Sequence, residues 1–165
     1  MQFKTVGMDN SECIKTFYQA FARGDAETMA ACYHDEIVFN DPAFGTLIGD
    51  EAKNMWRMLV ERSKGQLQLA FSDVETNGNT GSAKWRAEYP YGPKKRKVVN
   101  HITASFEFKD GKIIRHTDVF NLWKWTQQAL GLSGYLLGWS TFMKKKIQSS
   151  TNNLLRKYTE ASNRD

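Results

Sequence analysis

The spacing of apolar residues changes once along this chain, near Gly65, and that change limits the folds open to it. Upstream, apolar side chains recur every three or four residues, as at Ile14, Phe17 and Phe21, which is the period of an amphipathic helix. Over residues 66–121 they alternate with polar side chains, which is the period of a half-buried strand. Helices followed by a run of strands predict an α+β fold, in which the helices cover one face of the sheet.

Capping and breaking residues predict three helices and a short strand in the first part of the chain. Asn10 or Ser11 can cap the first helix, and Gly24 can end it. A second, short helix follows. A strand over residues 37–41 then ends at Pro42, which has no N–H to donate. The third helix comes after it, before the period changes.

Three turn signals, at residues 77–81, 90–93 and 109–111, divide the alternating part into four strands. Strands joined by such short turns predict an antiparallel meander. With helices packed on it, the concave face of this sheet is the natural place for a ligand pocket.

The last turn decides which side chains share the pocket face. A three-residue loop with Gly111 in the left-handed conformation, rather than a two-residue Asp-Gly loop, predicts that Phe108 pairs with Lys112. The predicted face then consists of Asn100, Ile102, Ala104, Phe106, Ile114, His116, Asp118 and Phe120.

Two carboxylates interrupt sheet-forming stretches that are otherwise apolar. They are Asp41 and the aspartate of the pair His116-x-Asp118. Burial raises the pKa of a carboxyl group and lets it exchange protons near neutral pH, so we interpret all three residues as candidate catalytic groups. Each also has a structural interpretation, with Asp41 as a turn former and the pair as a satisfied core contact.

A second set of residues is expected to bind the substrate. Asn100 carries an amide on an apolar face, where it needs a hydrogen-bond partner that a bound carbonyl or an ordered water can supply. Aromatic side chains at helical or alternating spacing also build cores, but they suit a pocket wall equally. The aromatic candidates are Trp56, Trp85, Phe120, Tyr18 and Phe17.

The charge of the chain is concentrated in two places. The net charge is +5, but the basic runs at residues 94–97 and 144–146 account for it and leave the rest slightly acidic. No nucleic-acid motif accompanies these runs, so we expect no nucleic-acid partner. Residues 93–98 match a short nuclear-import motif, and the flanking turn residues explain the same string as a hairpin connection.

The cysteine content argues against a disulfide framework or a zinc site. Cys13 and Cys32 are too few and too far apart for the first, and no Cys/His cluster has the spacing of the second. We expect buried free thiols, no metal and no cofactor. Residues 1–5 lack the apolar core of a signal peptide, which predicts a cytoplasmic protein.

Residues 125–143 form a stretch without charge between Lys124 and Lys144. Its length suits a membrane span, but its hydroxyl, amide and glycine residues disfavour insertion. Peripheral membrane contact is an alternative, since tryptophans and a lysine run suit the headgroup boundary. We favour a helical flap over the mouth of the sheet, with helices at 122–130 and 140–158.

Three stretches carry a family resemblance: residues 39–42 (FNDP), 106–113 (FEFKDGKI) and 116–118 (HTD). With the order of elements over residues 9–121, they resemble the nuclear transport factor 2-like superfamily, nearest its SnoaL-like polyketide cyclase and ketosteroid isomerase-like branches. The resemblance implies a cone-shaped α+β barrel with three N-terminal helices over its concave face. It also implies a homodimer formed through the outer face of the sheet.

The resemblance also implies roles for the three candidate catalytic residues. Asp41 matches the carboxylate that shuttles a proton in the steroid isomerases. His116 and Asp118 match a His-x-Asp pair in the cavity of the cyclases, whose aspartate is the acid/base of ring closure. This chain departs from the isomerases on the first helix, where Phe17 replaces an oxyanion-binding tyrosine and Tyr18 lies one position away.

We divide the chain into a SnoaL-like barrel domain at residues 1–121 and a C-terminal helical extension at 122–165 packed on it. The favoured function is a cofactor-independent isomerase, aldol-type cyclase or hydrolase that acts on a hydrophobic carbonyl-bearing or cyclic metabolite. A ligand-binding or sensing domain and a membrane-surface module are the alternatives. An epoxide hydrolase needs an arginine between paired carboxylates, and Arg57 is the candidate.

Overall fold

The helical and alternating patterns form separate parts of the fold, as the sequence predicts. The computed structural model describes residues 9–164, so the prediction about residues 1–5 lies outside it. In chain order the elements are α1 (Asn10–Ala22), α2 (Ala26–Cys32), β1 (Tyr33–Asp41), β2 (Gly45–Ile48), α3 (Asp50–Ser63), β3 (Gln68–Asn77), β4 (Thr80–Tyr91), β5 (Arg96–Lys109), β6 (Lys112–Val119), α4 (Leu122–Leu130), α5 (Leu132–Leu137) and α6 (Thr141–Ser162).

The six strands form one curved, unclosed sheet in the order β2-β1-β6-β5-β4-β3. The antiparallel meander of β3 to β6 confirms the prediction. The first strand is longer than predicted, because it begins directly after α2, and β2 was not predicted. The α+β fold class is confirmed, with helices packed on the sheet at both ends of the chain.

One strand pair joins the two ends of the predicted domain. β1 and β6 run parallel, with Phe39 opposite His116 and Asn40 opposite Thr117. The residues that follow Asn40 and Thr117 are Asp41 and Asp118. The parallel register therefore carries both predicted catalytic carboxylates to the same end of two neighbouring strands.

The predicted three-residue turn between β5 and β6 is wrong, although most of the predicted face is correct. Asp110 and Gly111 have φ values of 54° and 75°, the conformation of a two-residue type I′ turn, which Asp-Gly favours because it matches the strand twist. A bulge follows, and the extra residue is Ile114. It is half-buried instead of facing the core. The bulge returns His116 to the inner face, opposite Phe106.

The N-terminal helices cover the concave face of the sheet. α1 contacts β3, β4 and β6, and α3 contacts β1 and β2. Their apolar faces, which include Phe17 and Trp56, are fully buried in the main core. The cap of α1 is Asp9, whose carboxylate accepts the N–H of Ser11, so the predicted cap at Asn10 or Ser11 is wrong by one or two residues.

The C-terminal helices build a second, smaller core against the open end of the sheet. α4 has the predicted bounds and ends at Gly131, whereas α5 was not predicted. Gln128 of α4 pairs with the backbone of Val99, accepting its N–H at 2.7 Å and donating to its carbonyl at 3.0 Å. The second core consists of Val98, Trp125, Ala129, Met143 and Ile147, with Ala43, Tyr89, Phe120 and Leu122 packed against it.

Helix α6 holds the turn between β1 and β2 through three side chains. Gln148 donates to the carbonyl of Pro42 at 3.1 Å, Thr151 to Ala43 at 2.7 Å and Asn152 to Phe44 at 2.9 Å. We call these three hydrogen bonds the clasp, and the end of the sheet that they cover the mouth. None of the helices within residues 9–164 is long and apolar enough to cross a membrane.

Candidate active site

A chain of hydrogen bonds runs through the core behind the mouth. His116 is fully buried, and its Nδ1 lies 2.7 Å from the hydroxyl of Tyr33. Trp56 donates its indole N–H to the same hydroxyl at 2.7 Å. On the other side, Nε2 of His116 lies 3.0 Å from Oδ1 of Asp118, which is 3% exposed. Four side chains from α3, β1 and β6 thus form one buried network.

The donors in this network fix the position of the imidazole proton. An indole N–H only donates, so the Tyr33 oxygen accepts from Trp56. A carboxylate only accepts, so Nε2 of His116 donates to Asp118, and in a neutral imidazole Nδ1 then accepts the Tyr33 proton. The accepting nitrogen of a neutral imidazole leaves the other nitrogen to carry the proton. His116 therefore holds its proton on Nε2 and donates it to Asp118.

Asp118 is held by one of its two oxygens. Its Oδ1 accepts the His116 N–H and also the indole N–H of Trp85 at 3.3 Å. Within residues 9–164, the other oxygen, Oδ2, receives no hydrogen bond. The side chain is therefore fixed in orientation while one oxygen is left to take a proton.

Asp41 lies at the mouth and is half-buried. Its Oδ1 accepts the backbone N–H groups of Ala43 at 2.9 Å and Phe44 at 2.6 Å, which forms the turn that the clasp covers. Burial raises the pKa of Asp41 from 3.8 to about 7 against the opposing effect of these N–H groups, and the nearby charge of Asp118 raises it further. Near neutral pH, Asp41 is therefore both a proton donor and a proton acceptor.

Tyr89, an aromatic residue of β4 that the alternating pattern also offers for a pocket wall, is close enough to Asp41 to feel its charge. Burial raises the pKa of Tyr89 to about 12, and the charge of Asp41 adds to this shift. The Tyr89 hydroxyl accepts the indole N–H of Trp125 at 2.8 Å, which leaves its proton to donate. The second core thus supplies a hydroxyl donor at the mouth.

Tyr18 carries the one side-chain polar atom in the described chain that is both inaccessible to solvent and without a hydrogen-bond partner. Its ring packs against Phe71, Trp85 and Phe106. Burial raises the pKa of its hydroxyl well above the usual value, and the charge of Asp118 raises it further. A buried hydroxyl without a partner costs stability, and such groups recur where a ligand completes the hydrogen bonding.

The structure brings most of the sequence-predicted residues together. Phe17 and Trp56 pack against the His116 ring, with ring centroids 5.5 and 6.0 Å away. Asn100 lies half-buried on the inner face, opposite Ala87 on β4. Phe120 is separate from this group, because it packs into the second core instead.

The sequence analysis missed Tyr33, which connects Trp56 to His116. Its position at a helix-to-strand junction is the only signal, and it does not separate this residue from an ordinary core tyrosine. The contact arises from the β1–β6 pairing, which alternation within a strand does not encode.

Arg57 does not join the two carboxylates. Its guanidinium binds Glu27 at 2.7 and 3.1 Å and Asn54 at 3.0 Å, on the surface formed by α2 and α3. The arginine-bridged geometry of an epoxide hydrolase is therefore not formed by this residue. In the part of the chain that the structure describes, no group of three or more His, Cys, Asp or Glu residues could hold a metal ion.

Two cavities open on the surface of the described chain, and one of them reaches Trp85, which donates to Asp118. One of about 290 Å³ is lined by Lys84, Arg86 and His101 on the outer side of β4 and β5, with Trp85 at its base. The other, of about 230 Å³, lies beside the turn between β4 and β5. On the concave face, the rings of Phe17, Phe39, Trp56 and Phe106 pack against His116.

Comparison with known proteins agrees with this architecture. The family model described as a SnoaL-like domain matches residues 14–116, which is more than half of the chain. The chain belongs to the SnoaL-like family. A comparison with curated proteins found no significant match.

Three solved structures illustrate how far the SnoaL-like fold extends along this chain. A candidate polyketide cyclase from Xanthomonas campestris pv. campestris is 21% identical, with a TM-score of 0.58, and the match covers 72% of this chain and 95% of that one. An LEH-like epoxide hydrolase from M. tuberculosis is 20% identical, with a TM-score of 0.58 and coverage of 77% and 94%. TerC, co-crystallised with polyporic acid, is 21% identical, with a TM-score of 0.59 and coverage of 68% and 91%.

The three matches leave part of this SnoaL-like chain without a counterpart. Each neighbour is matched over more than nine-tenths of its length, yet about a quarter to a third of this chain is left over. The family match ends at residue 116, before α4 begins. The helices that close the mouth are thus outside the family match.

Proposed function

We propose that this SnoaL-like protein is a cofactor-independent acid/base enzyme for a small hydrophobic metabolite that carries a carbonyl group or a ring. The observation that carries the proposal is the pairing of Asp41 and Asp118 at the ends of neighbouring parallel strands. Asp118 accepts two N–H groups and keeps one oxygen free, while the pKa of Asp41 is raised to about 7. Two carboxyl groups in different environments suit the two proton transfers of an isomerase, cyclase or hydrolase.

The first step is proton abstraction beside the substrate carbonyl. Oδ2 of Asp118 forms an O–H bond as the C–H bond breaks, and the electron pair moves to the carbonyl oxygen to give an enolate. The Tyr18 hydroxyl, which has no hydrogen-bond partner among residues 9–164, donates to that oxygen.

The second step returns a proton from the mouth. Asp41 is protonated over part of the neutral pH range and delivers its proton to carbon or oxygen. Asp118 then releases to water the proton it took, and Asp41 takes a proton back from water, which restores the resting enzyme. His116 is a positioning residue in this scheme, since it contacts Asp118 and Tyr33 and is itself fully buried. The polyporic acid in the TerC crystals and the name of the cyclase neighbour support a cyclic carbonyl compound as the substrate class.

Hydrogen exchange at carbon tests the proposal without knowledge of the product. Cyclic ketones and 1,3-diketones are incubated with the protein in D₂O, and proton NMR follows deuterium entry at the saturated carbon next to the carbonyl. We expect exchange with at least one compound, lost in Asp118→Asn, whose amide oxygen still accepts from His116 and Trp85. Asp110→Asn, an exposed aspartate in a turn, is the matched control and retains the exchange.

The same panel separates catalysis from binding. Ligand-observed NMR records which compounds bind to the wild type and to Asp118→Asn. If a compound binds equally well to both proteins and none of the panel exchanges, the acid/base proposal is wrong and the protein is a binding domain. Loss of exchange with retained binding supports the proposed role of Asp118.

A further inference from the structure

Most of the large apolar side chains that the fold leaves exposed lie in one segment. Of the twelve such residues in the described chain, eight fall between Trp123 and Phe142. Trp139 and Phe142 are each 71% exposed and Leu132 is 75% exposed. We call the surface formed by Leu132, Tyr135, Leu136, Leu137, Trp139 and Phe142 the C-terminal apolar face.

Helix α5 exposes its apolar face to solvent, whereas an ordinary amphipathic helix buries it. It buries Gly134 against α4 and turns its leucines to the outside. A Cβ atom at Gly134 would overlap the Thr126 carbonyl, and one at Gly138 would overlap the Thr126 hydroxyl. These two glycines are the only residues small enough for that contact, so the helix does not rotate to bury its leucines. The outward orientation is a fixed feature of the fold.

The charged residues along this part of the chain are all of one sign. Residues 119–159 contain no aspartate or glutamate, and Lys144, Lys145 and Lys146 begin directly after Met143. Lys145 and Lys146 follow Phe142 by three and four residues on α6, which places them on the same side of the helix. None of the three lysines forms an ion pair within residues 9–164.

We propose that the C-terminal apolar face docks on membranes that contain anionic lipids, with α5 and the start of α6 lying in the headgroup region. Apolar and tryptophan side chains enter the boundary of the acyl chains, and adjacent lysines bind the acidic headgroups. The segment lies on the membrane and does not cross it, since α5 is only six residues long. A second copy of this chain is a poorer occupant, because a two-fold contact would set the same lysines against each other.

Vesicle flotation of the full-length protein tests the proposal. Vesicles of phosphatidylcholine alone are compared with vesicles that also contain phosphatidylglycerol, at low and at physiological salt. We expect flotation only with the anionic vesicles. The double variant Lys145→Gln/Lys146→Gln should lower the partition coefficient about ten-fold or more. Lys94→Gln/Lys95→Gln, which removes equal charge from the turn between β4 and β5, should leave it nearly unchanged.

A second pair of variants tests the apolar side chains of this surface. Trp139→Ser/Phe142→Ser should abolish flotation, whereas Ile48→Ser/Val119→Ser, at two strand positions each 61% exposed, should not. Circular dichroism confirms that each variant is folded. The Asp118→Asn variant should float like the wild type, so failure of the catalytic proposal leaves this one standing.

Three results would overturn the proposal. The first is failure of the wild type to float with anionic vesicles. The second is an equal loss of flotation in both members of a matched pair, which would indicate non-specific attraction. In the third, light scattering shows a dimer that only Trp139→Ser/Phe142→Ser dissociates, while this variant still binds vesicles. The C-terminal apolar face would then be a self-association surface.

Discussion

The hydroxyl of Tyr33 lies 2.7 Å from Nδ1 of His116 and also accepts the indole N–H of Trp56. It is thus the shared hydrogen-bond partner of two buried ring nitrogens. Tyr33→Phe would leave the Trp56 N–H and Nδ1 of His116 without partners. We expect a loss of about 2 kcal/mol or more in the free energy of unfolding, from urea denaturation. Nitrogen-15 NMR of the imidazole should show the Nε2–H form in the wild type and a mixture of forms in the variant.

An exposed tyrosine provides the control for that change. Tyr135 is 57% exposed, so Tyr135→Phe should alter the free energy of unfolding by less than about 0.5 kcal/mol. Equal losses in both variants would contradict the hydrogen-bond network described for His116.

Removal of the Tyr18 hydroxyl should stabilise the protein, whereas removal of the Tyr33 hydroxyl should destabilise it. This hydroxyl is buried without a partner, so Tyr18→Phe should raise the free energy of unfolding by about 1 kcal/mol. The same variant should lose deuterium exchange in the carbonyl panel, because the enolate oxygen loses its donor. A gain in stability with unchanged exchange would remove Tyr18 from the proposed mechanism.

Asp41 should make stability depend on pH. Its pKa is about 7 in the folded protein and 3.8 in the unfolded chain, so between these values the folded state binds more protons. The stability that Asp41 contributes is therefore fully present below about pH 4 and is lost as the pH rises through about 7. Asp41→Asn should gain about 2 to 4 kcal/mol relative to the wild type between those limits.

Denaturation curves across this pH range measure the Asp41 effect. The asparagine oxygen still accepts the N–H groups of Ala43 and Phe44, so the turn is kept. Asp110→Asn serves as the reference for an exposed carboxylate. Parallel pH profiles for the wild type and Asp41→Asn would show that the pKa of Asp41 is not raised.

The clasp should control the environment of Asp41. Thr151→Val removes the 2.7 Å hydrogen bond to the Ala43 carbonyl, which should cost about 1 kcal/mol and admit water to the mouth. Carbon-detected NMR should then show a lower pKa for Asp41, because burial is the main cause of its shift. Ser150→Ala, on the exposed side of the same helix, should change neither quantity.

Replacing Gly134 with alanine should destabilise the protein, which is the reverse of the usual effect of this substitution in a helix. Replacing a helical glycine with alanine normally stabilises a protein by about 1 kcal/mol. Here the added methyl group would overlap the Thr126 carbonyl, so we expect Gly134→Ala to destabilise by about 1 to 3 kcal/mol. Thermal unfolding measures the change, and Ser133→Ala in the same turn is the control. A stabilised Gly134→Ala variant would contradict the packing of α5 on α4.

The sequence predicted the fold better than the contacts within it. Periodicity placed the three N-terminal helices, the meander and the bounds of α4, because each is encoded by local spacing. It also selected His116 and Asp118 correctly as inner-face residues. The turn at Asp110 was mispredicted, since a bulge at Ile114 shifts the register without a clear mark in the sequence.

The parts that escaped prediction depend on contacts between distant elements. Nothing in the spacing of residues 33–41 indicates that β1 pairs with β6, and that pairing brings Tyr33 to His116. Helix α5 escaped because its buried residues are glycines, so its apolar pattern indicates the wrong face. The clasp consists of side chain to backbone hydrogen bonds, for which Gln148 and Thr151 carry no distinctive motif.

The pairing of β1 with β6 also sets the order in which the domain is completed during synthesis. Tyr33 and His116 are 83 residues apart, so β1 leaves the ribosome long before its central neighbour exists. Until β6 is made, β1 can pair only with the short strand β2. Its other edge stays open to water and to chaperones during that interval. The last strand of the sheet thus both joins the two halves of the domain and delivers His116 and Asp118, so a chain interrupted before β6 lacks both residues.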